Sequence, residues 1–296
     1  MSPAKPVRRV GFCYHPDVPG AEELASRLHA RVARSKGQHW LLALDRDGND
    51  HAVEKQIPGT TLLVCVGGDG TVLQASHLTR ESDTPIFGVR MGRLGFLAEA
   101  TEAEAEAALD LILAGGGRIE QRSMVEACVP GRPPVHALND VVVGRQGLGR
   151  TISVGLRVDG VLLAEYRTDA VIVATATGST GYGLAVNGPI LYPTSRDLLV
   201  VPVAPHLSYD NALVLPGDSR IQLEVERGHD AVMTVDGHLA GQLESGSVVA
   251  LTRSPHEARF VRLGGDAQFY ANLAQRLGWL RLDHVLDAES AEAPDS

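Results

Sequence analysis

The chain has 296 residues, 44% hydrophobic and 21% charged, with 27 Lys and Arg against 36 Asp and Glu for a formal charge of −9. That is apolar material for one or two sizeable cores, which excludes a disulfide-stapled miniprotein and a disordered tail. The acidic balance argues against a nucleic-acid partner, where a positive face supplies most of the affinity, and no apolar run is long enough for a membrane-spanning helix.

Met1 to Pro6 lead straight into a strand-like run and not into an apolar leader with a small-residue cleavage site, so a cytoplasmic location is expected. Cys13, Cys65 and Cys128 lie far apart without Cys-x-x-Cys spacing, which fits a reducing compartment. From Val7 to about Ala114, β-type runs at Val10 to Tyr14, Trp40 to Leu44, Leu62 to Val66 and Pro85 to Val89 alternate with helical stretches. This is the signature of βαβ units around a parallel, Rossmann-like sheet. Ala21 to Arg34 places Leu24, Leu28 and Val32 on one helical face. Thr101 with Glu104 predicts a capping box ahead of an alanine-rich helix that runs to Ala114 and stops at Gly115-Gly116-Gly117.

Beyond the triple glycine the helical period disappears for roughly 140 residues, and short Val/Ile/Leu runs bounded by Gly, Asp and Pro predict an all-β sandwich. Asp159-Gly160, between Ile152 to Val158 and Val161 to Tyr166, is a two-residue hairpin signal, and Asp236-Gly237 after Ala231 to Val235 is another. Ala267 to Leu277 resumes a helix with Phe269, Leu273 and Leu277 on one face, and the acidic end from Asp287 is expected to be disordered. The expected organisation is α/β over 1–122, β-sandwich over 123–264, and a C-terminal helix with its tail over 265–296.

Gly67-Gly68-Asp69-Gly70-Thr71 follows one buried strand and opens a helix. A strand-to-helix turn at the carboxyl edge of a parallel sheet is where open α/β folds bind ligands, and bare glycine backbone lets N–H groups approach phosphate oxygens. The carboxylate would repel phosphate unless it binds a divalent cation or takes a proton from an attacking hydroxyl. The alternative is that Asp69 only N-caps the helix. Thr175-Ala176-Thr177-Gly178-Ser179-Thr180-Gly181-Tyr182 offers hydroxyls and an aromatic ring suited to sugar oxygens and a flat base; the alternative is an ordinary Ser/Thr/Gly loop. Asn139-Asp140, inside the apolar run Ala137 to Val143, pairs an amide that reads base edges with a carboxylate that holds ribose hydroxyls. A turn leading into the strand is the plain alternative. Gly92-Arg93-Leu94-Gly95-Phe96-Leu97 is either a base-pocket lining or core. Arg150 and Arg167 could neutralise a diphosphate or be solvated strand residues. His238 is ambiguous, while His15, His77 and His206 read as surface or satisfied core groups.

In this order the segments resemble the NAD kinase family from Val7 to about Trp279. The glycine turn alone is shared with phosphofructokinases and lipid kinases; Gly92 to Leu97, Asn139-Asp140, Thr175 to Tyr182 and Gly188-Pro189-Ile190 narrow the likeness. The resemblance implies an α/β domain, a β-sandwich, a C-terminal segment returning to the first domain, and a cleft between domains. It implies that Asp69 is the catalytic residue, with Gly67, Gly68, Gly70, Thr71 and Phe96 beside the substrates. Asn139 and Asp140 would hold the adenosine, Thr180, Gly181 and Tyr182 the adenine and nicotinamide sides, and Arg150, Arg167, Asp169 and His238 further parts of the dinucleotide, with Thr177 and Ala185 also among the substrate-binding residues. The implied reaction phosphorylates the 2′-hydroxyl of the adenosine ribose of NAD, with ATP or polyphosphate as donor, a divalent ion such as Mg²⁺, and a homo-dimeric or homo-tetrameric enzyme. A diacylglycerol-type lipid kinase and a non-catalytic NAD(P)-binding module are the alternatives. Arg90, Ala176, Thr168, Ala170 and Gly181 depart from the family's usual residues, and Asp140 stands where Glu is often found. Ala176 and Gly181 loosen the turn they occupy.

Overall fold

Parallel pairing organises the first half of the chain. A computed structural model describes residues 7–34, 37–45, 50–92, 95–147, 151–206, 210–226, 228 and 230–278; Arg93, Leu94, Arg150 and the acidic end from Asp287 lie outside the described residues. Two compact units form, one from the described residues of Met1–Val72, Ile86–Ile119 and Val261–Ser296, the other from Leu73–Pro85 and Glu120–Phe260.

The first unit opens with β1 (Arg9–Tyr14), α1 (Ala21–Ala33), β2 (Gln38–Ala43), α2 (His51–Glu54), β3 (Leu62–Gly67) and the start of α3 (Asp69–Thr79). It continues with β4 (Ile86–Arg90), β5 (Ala100–Thr101) and α4 (Ala105–Leu113). β1 pairs with β2 and β3, and β3 with β4, all parallel. The spatial order β4-β3-β1-β2 therefore reverses between β1 and β3, the switch point at whose carboxyl ends such sheets bind ligands. β3 ends at Gly67, so the Gly67 to Thr71 turn is delivered to that edge. Every residue of β3 is buried. Leu24, Leu28 and Val32 of α1 pack with Phe12, Val64 and Val66, as the spacing predicted. The capping box also forms, with Thr101 N donating to Glu104 Oε2 at 2.8 Å and Glu104 N to Thr101 Oγ1 at 3.3 Å. The Thr101 N–H and hydroxyl, both donating to Glu104 Oε2, hold that carboxyl below its usual pKa.

The second unit carries β6 (Arg118–Cys128), which begins in the first, then β7 (Val135–Ala137), β8 (Asp140–Arg145), β9 (Ile152–Val158), β10 (Val161–Thr168) and β11 (Ala170–Ala174). After a 3₁₀ turn (Gly178–Thr180) come α5 (Tyr182–Ala185), β12 (Leu198–Val203), β13 (Leu213–Leu215), β14 (Ile221–Val225), β15 (Ala231–Val235), β16 (His238–Leu243) and β17 (Val248–Arg262). One antiparallel sheet runs β13-β12-β11-β8-β15-β16, and the other follows β10-β9-β14-β17, with β6 also on β17. Val141, Val143, Val171, Val173, Val200 and Met233 from one sheet share a core with Val154, Leu156, Leu223, Val249 and Leu251 from the other. Alternate residues point inward from both sheets, which is sandwich packing. The opposite face of the first sheet is buried too, with Val142, Ile172 and Leu199 under Val186 and Leu191, so β8 and β11 read as continuous apolar runs. Both hairpin turns are present, with positive φ at Asp159 (49°), Gly160 (84°), Asp236 (50°) and Gly237 (82°). The last element among the described residues is α6 (Ala267–Leu277), which belongs to the first unit.

Two expectations are corrected. The second half is not wholly β, because the 3₁₀ turn and α5 interrupt it. Ser and Thr hydroxyls there bond carbonyls three residues back, which closes turns that apolar periodicity cannot show. The run Ala137 to Val143 is not one strand, since β7 ends at Ala137 and β8 starts at Asp140. Asp236 draws the amides of 138–140 out of the ladder, as described below.

Candidate active site

In the first unit the glycine turn surrounds one carboxylate. Asp69 is the first residue of α3, and both its carboxylate oxygens accept hydrogen bonds from outside that helix. Oδ2 accepts the Phe96 N–H at 2.8 Å and Oδ1 the Leu97 N–H at 3.2 Å. The loop after β4, expected as either pocket lining or core, is thus the holder of Asp69. Gly95 is needed for this approach, since a Cβ there would fall 2.0 Å from Asp69 Oδ1. Thr71 Oγ1 accepts the Gly68 N–H at 3.1 Å and closes the turn. At Gly68 and Gly70 an added Cβ would meet nothing within 4 Å, so this backbone faces open space. Arg276 of α6 stacks its guanidinium 4.3 Å from the centre of the Phe96 ring and brings Nη1 to 3.7 Å from Asp69 Oδ2. The arrangement offers an oriented proton acceptor, with its side chain 34% exposed, beside bare amides and a cation.

In the second unit Asn139 and Asp140 stand where β8 begins. Asn139 is half-buried and Asp140 buried, and burial, with the Asp236 charge as the second cause, pushes the Asp140 carboxyl from 3.8 up to about 7. The hydroxyl-rich segment leads out of β11. Thr175 Oγ1 donates to Leu138 O and accepts the amides of Thr177 and Gly178 at 3.1 and 3.2 Å. Ser179 and Thr180 hydroxyls donate to the carbonyls of Ala176 and Thr177. These hydroxyls build the turn. Gly178 backs directly onto Asn139, and a Cβ there would lie 2.0 Å from the Asn139 carbonyl oxygen. Under the turn, Arg122 donates twice to Glu120 Oε1, at 3.0 and 2.9 Å, and reaches Thr177 Oγ1 at 3.5 Å, with both charged groups buried.

Two family models match in tandem, the ATP-NAD kinase N-terminal domain over residues 12–117 and the ATP-NAD kinase C-terminal domain over residues 138–263. The chain belongs to the NAD kinase family. The chain is 34% identical over 275 residues to the NAD kinase of Dehalococcoides mccartyi, covering 91% of this chain and 96% of that one. It is 40% identical over 220 residues to that of Chloroflexus aurantiacus, covering 73% and 80%. In fold it is similar to yeast NADH kinase complexed with NADH, with a TM-score of 0.83 and 22% identity over 94% of this chain and 90% of that one. It is also similar to an NAD kinase from Archaeoglobus fulgidus in complex with ATP, with a TM-score of 0.73 and 25% identity over 92% and 100%. Membership selects a phosphotransferase acting on NAD over the lipid-kinase and non-catalytic alternatives.

The remaining residues singled out in this NAD kinase family member are placed unequally. Gly181, Tyr182 and Ala185 form an exposed lip beyond the buried Thr177 and Thr180. Arg167 is exposed and donates to Thr151 Oγ1 at 3.1 Å, while Asp169 pairs with Arg145 at 3.1 Å. His238 is exposed just past its hairpin turn, and Arg150 lies outside the described residues. Sequence reasoning passed over Asp236, taken only as a turn residue, and over Gly95, Arg122 and Arg276. Of the two readings open for His77, surface or satisfied group, the structure shows a half-buried ring bonded to Asp236. Nothing in local spacing marks Asp236, Gly95, Arg276 or His77, because their partners lie far along the chain, whereas Arg122 pairs with Glu120 two residues before it in β6. Among the described residues, no group of three or more His, Cys, Asp or Glu side chains could hold a metal ion, and no helix is long and apolar enough to cross a membrane.

Proposed function

We propose that the protein transfers the terminal phosphoryl group of ATP to the 2′-hydroxyl of the adenosine ribose of NAD, giving NADP and ADP, with Asp69 as the general base. The observation that carries this reading is a single carboxylate at the carboxyl end of β3, oriented by the Phe96 and Leu97 amides and flanked by the bare backbone of Gly68 and Gly70. As the ribose oxygen attacks phosphorus and the bond to the leaving ADP oxygen breaks, the hydroxyl proton passes to Asp69. Such a base contributes about 10² to 10⁴-fold in rate, or roughly 3 to 5 kcal/mol of barrier. The rest of the acceleration is positioning and charge neutralisation.

Gly67, Gly68, Gly70 and Thr71 would receive the donor phosphates, with Phe96 beside them. Asn139 and Asp140 would hold the adenosine, and Thr177, Thr180, Gly181, Tyr182 and Ala185 the two bases. Arg150, Arg167, Asp169 and His238 would engage the rest of the dinucleotide. A divalent ion, Mg²⁺ by this reading, would neutralise donor phosphate charge. Asp69 is the one carboxylate on the glycine turn, which fits an ion held mainly by phosphates and its own waters. Polyphosphate as a second donor, a homo-dimeric or homo-tetrameric assembly, a cytoplasmic location, and domains at 1–122, 123–264 and 265–296 complete the proposal. The kinases of similar fold crystallised with NADH and with ATP support the substrate assignment.

The test is Asp69→Asn. NADP formation, read with an NADP-specific dehydrogenase, should drop at least about 10²-fold, while NAD affinity by titration stays within a few-fold of wild type. Near-normal turnover would remove Asp69 from the chemistry.

A further inference from the structure

Asp236 occupies the first position of a tight two-residue turn, where Asp is ordinarily explained by its tolerance of positive φ. Its side chain does more than that position requires. The carboxylate is fully buried, with 0% side-chain exposure. Oδ1 accepts the amides of Asn139 at 2.7 Å and Asp140 at 3.0 Å; Oδ2 accepts the amide of Leu138 at 2.8 Å and faces His77 Nε2 at 2.8 Å. Three consecutive N–H groups thus converge on one carboxylate, and the Asp236 N–H donates back to Asp140 O at 2.9 Å. This geometry breaks the chain between β7 and β8 and sets the direction in which Asn139 and Asp140 leave the backbone. His77, from α3, supplies the one side-chain bond among these contacts and holds Oδ2 so that both oxygens face the amides. Charged hydrogen bonds of this kind are strong and directional in a dry interior.

We infer that Asp236 and His77 are positioning residues for NAD, fixing the presentation of Asn139 and Asp140 to the adenosine. This rests on the functional reading above. The ligand is the nucleoside part of NAD, so loss of the His77 bond should weaken NAD and spare the phosphoryl donor and the chemical step.

The experiment uses the full chain with ATP, Mg²⁺ and NAD. His77→Leu removes the donor, and His77→Gln places an uncharged amide N–H near the same point. In His77→Leu the KM for NAD and the Kd from direct titration should rise roughly ten-fold or more, with kcat and the KM for ATP within about two- to three-fold of wild type. His77→Gln should bring KM for NAD most of the way back. A bond that only stabilised the fold would lower the melting temperature without this split. Unchanged KM for NAD in His77→Leu, an equal loss in kcat, or no recovery in His77→Gln would each overturn the inference while wild-type NADP formation still upheld the function. Wild-type protein that made no NADP would overturn both. Asp236→Asn serves as a second variant, expected to raise KM for NAD further if it folds by melting curve and circular dichroism. A folded Asp236→Asn with wild-type KM would also overturn the inference.

Discussion

Asp140→Asn should make the protein more stable at alkaline pH while impairing NAD binding. The Asp140 carboxyl is buried, and its pKa rises from 3.8 to about 7, first through desolvation and then through the Asp236 charge. Because the folded-state value lies above the unfolded one, the folded state holds the proton more tightly. Stability from this group is present at low pH and is lost as pH rises toward and through about 7. The separation of roughly 3 pH units corresponds to about 4 kcal/mol at full ionisation. At about pH 5 the cost is already near 1.5 to 2 kcal/mol, so roughly 2.5 kcal/mol more accrues by about pH 8. Asparagine does not titrate, so the stability difference between variant and wild type should grow by about that amount across this range. Urea unfolding at several pH values measures it, and the pH trend matters more than the absolute offset, which includes the change in packing. In step, wild-type affinity for NAD should improve as pH rises through about 7, when the ionised carboxylate accepts ribose hydroxyls, and Asp140→Asn should lack that slope. A pH-independent stability difference would show that Asp140 is not desolvated in the folded protein, and the reasoning would fail.

Gly95→Ala puts a Cβ within 2.0 Å of Asp69 Oδ1 and 2.3 Å of its Cγ, so the carboxylate must move. Turnover should fall on the order of 10²-fold with NAD affinity retained, and wild-type turnover would show that this loop does not place Asp69. Arg122→Met leaves the buried Glu120 without its two guanidinium bonds and should cost about 3 to 5 kcal/mol in urea unfolding. Adding Glu120→Leu should recover much of that, and a single-variant cost below about 1 kcal/mol would contradict the burial argument. Thr101→Ala breaks the capping box of α4 and should cost about 1 kcal/mol without changing kcat or KM; a kinetic effect would tie that helix to the site.

Much of the local structure was legible before any coordinates. The Leu24, Leu28, Val32 spacing, the Thr101 and Glu104 pair, both Asp-Gly turns and the helix Ala267–Leu277 follow from period and turn chemistry acting over a few residues. The same holds for the place of Gly67 to Thr71 between a buried strand and a helix, because an apolar run, a glycine cluster and a helical stretch follow one another directly in the sequence. The chain's family was legible as well, since its motifs stand in order along nearly the whole sequence.

What the sequence left open was who holds whom. The Asp69 carboxylate finds amides 27 and 28 residues away, and that of Asp236 reaches amides 96 to 98 residues back and a histidine 159 residues back. In the hydroxyl-rich segment, which could equally be a ligand loop or an ordinary turn, the Thr175 and Ser179 hydroxyls bond backbone groups of the turn and of Leu138 and Leu191. Residues 73–85, continuous in sequence with the glycine turn, belong with the second unit. Propensity and periodicity act through neighbours in the chain. The convergence of several amides on one buried carboxylate depends on closing long loops, and only the packed tertiary structure decides which groups then meet.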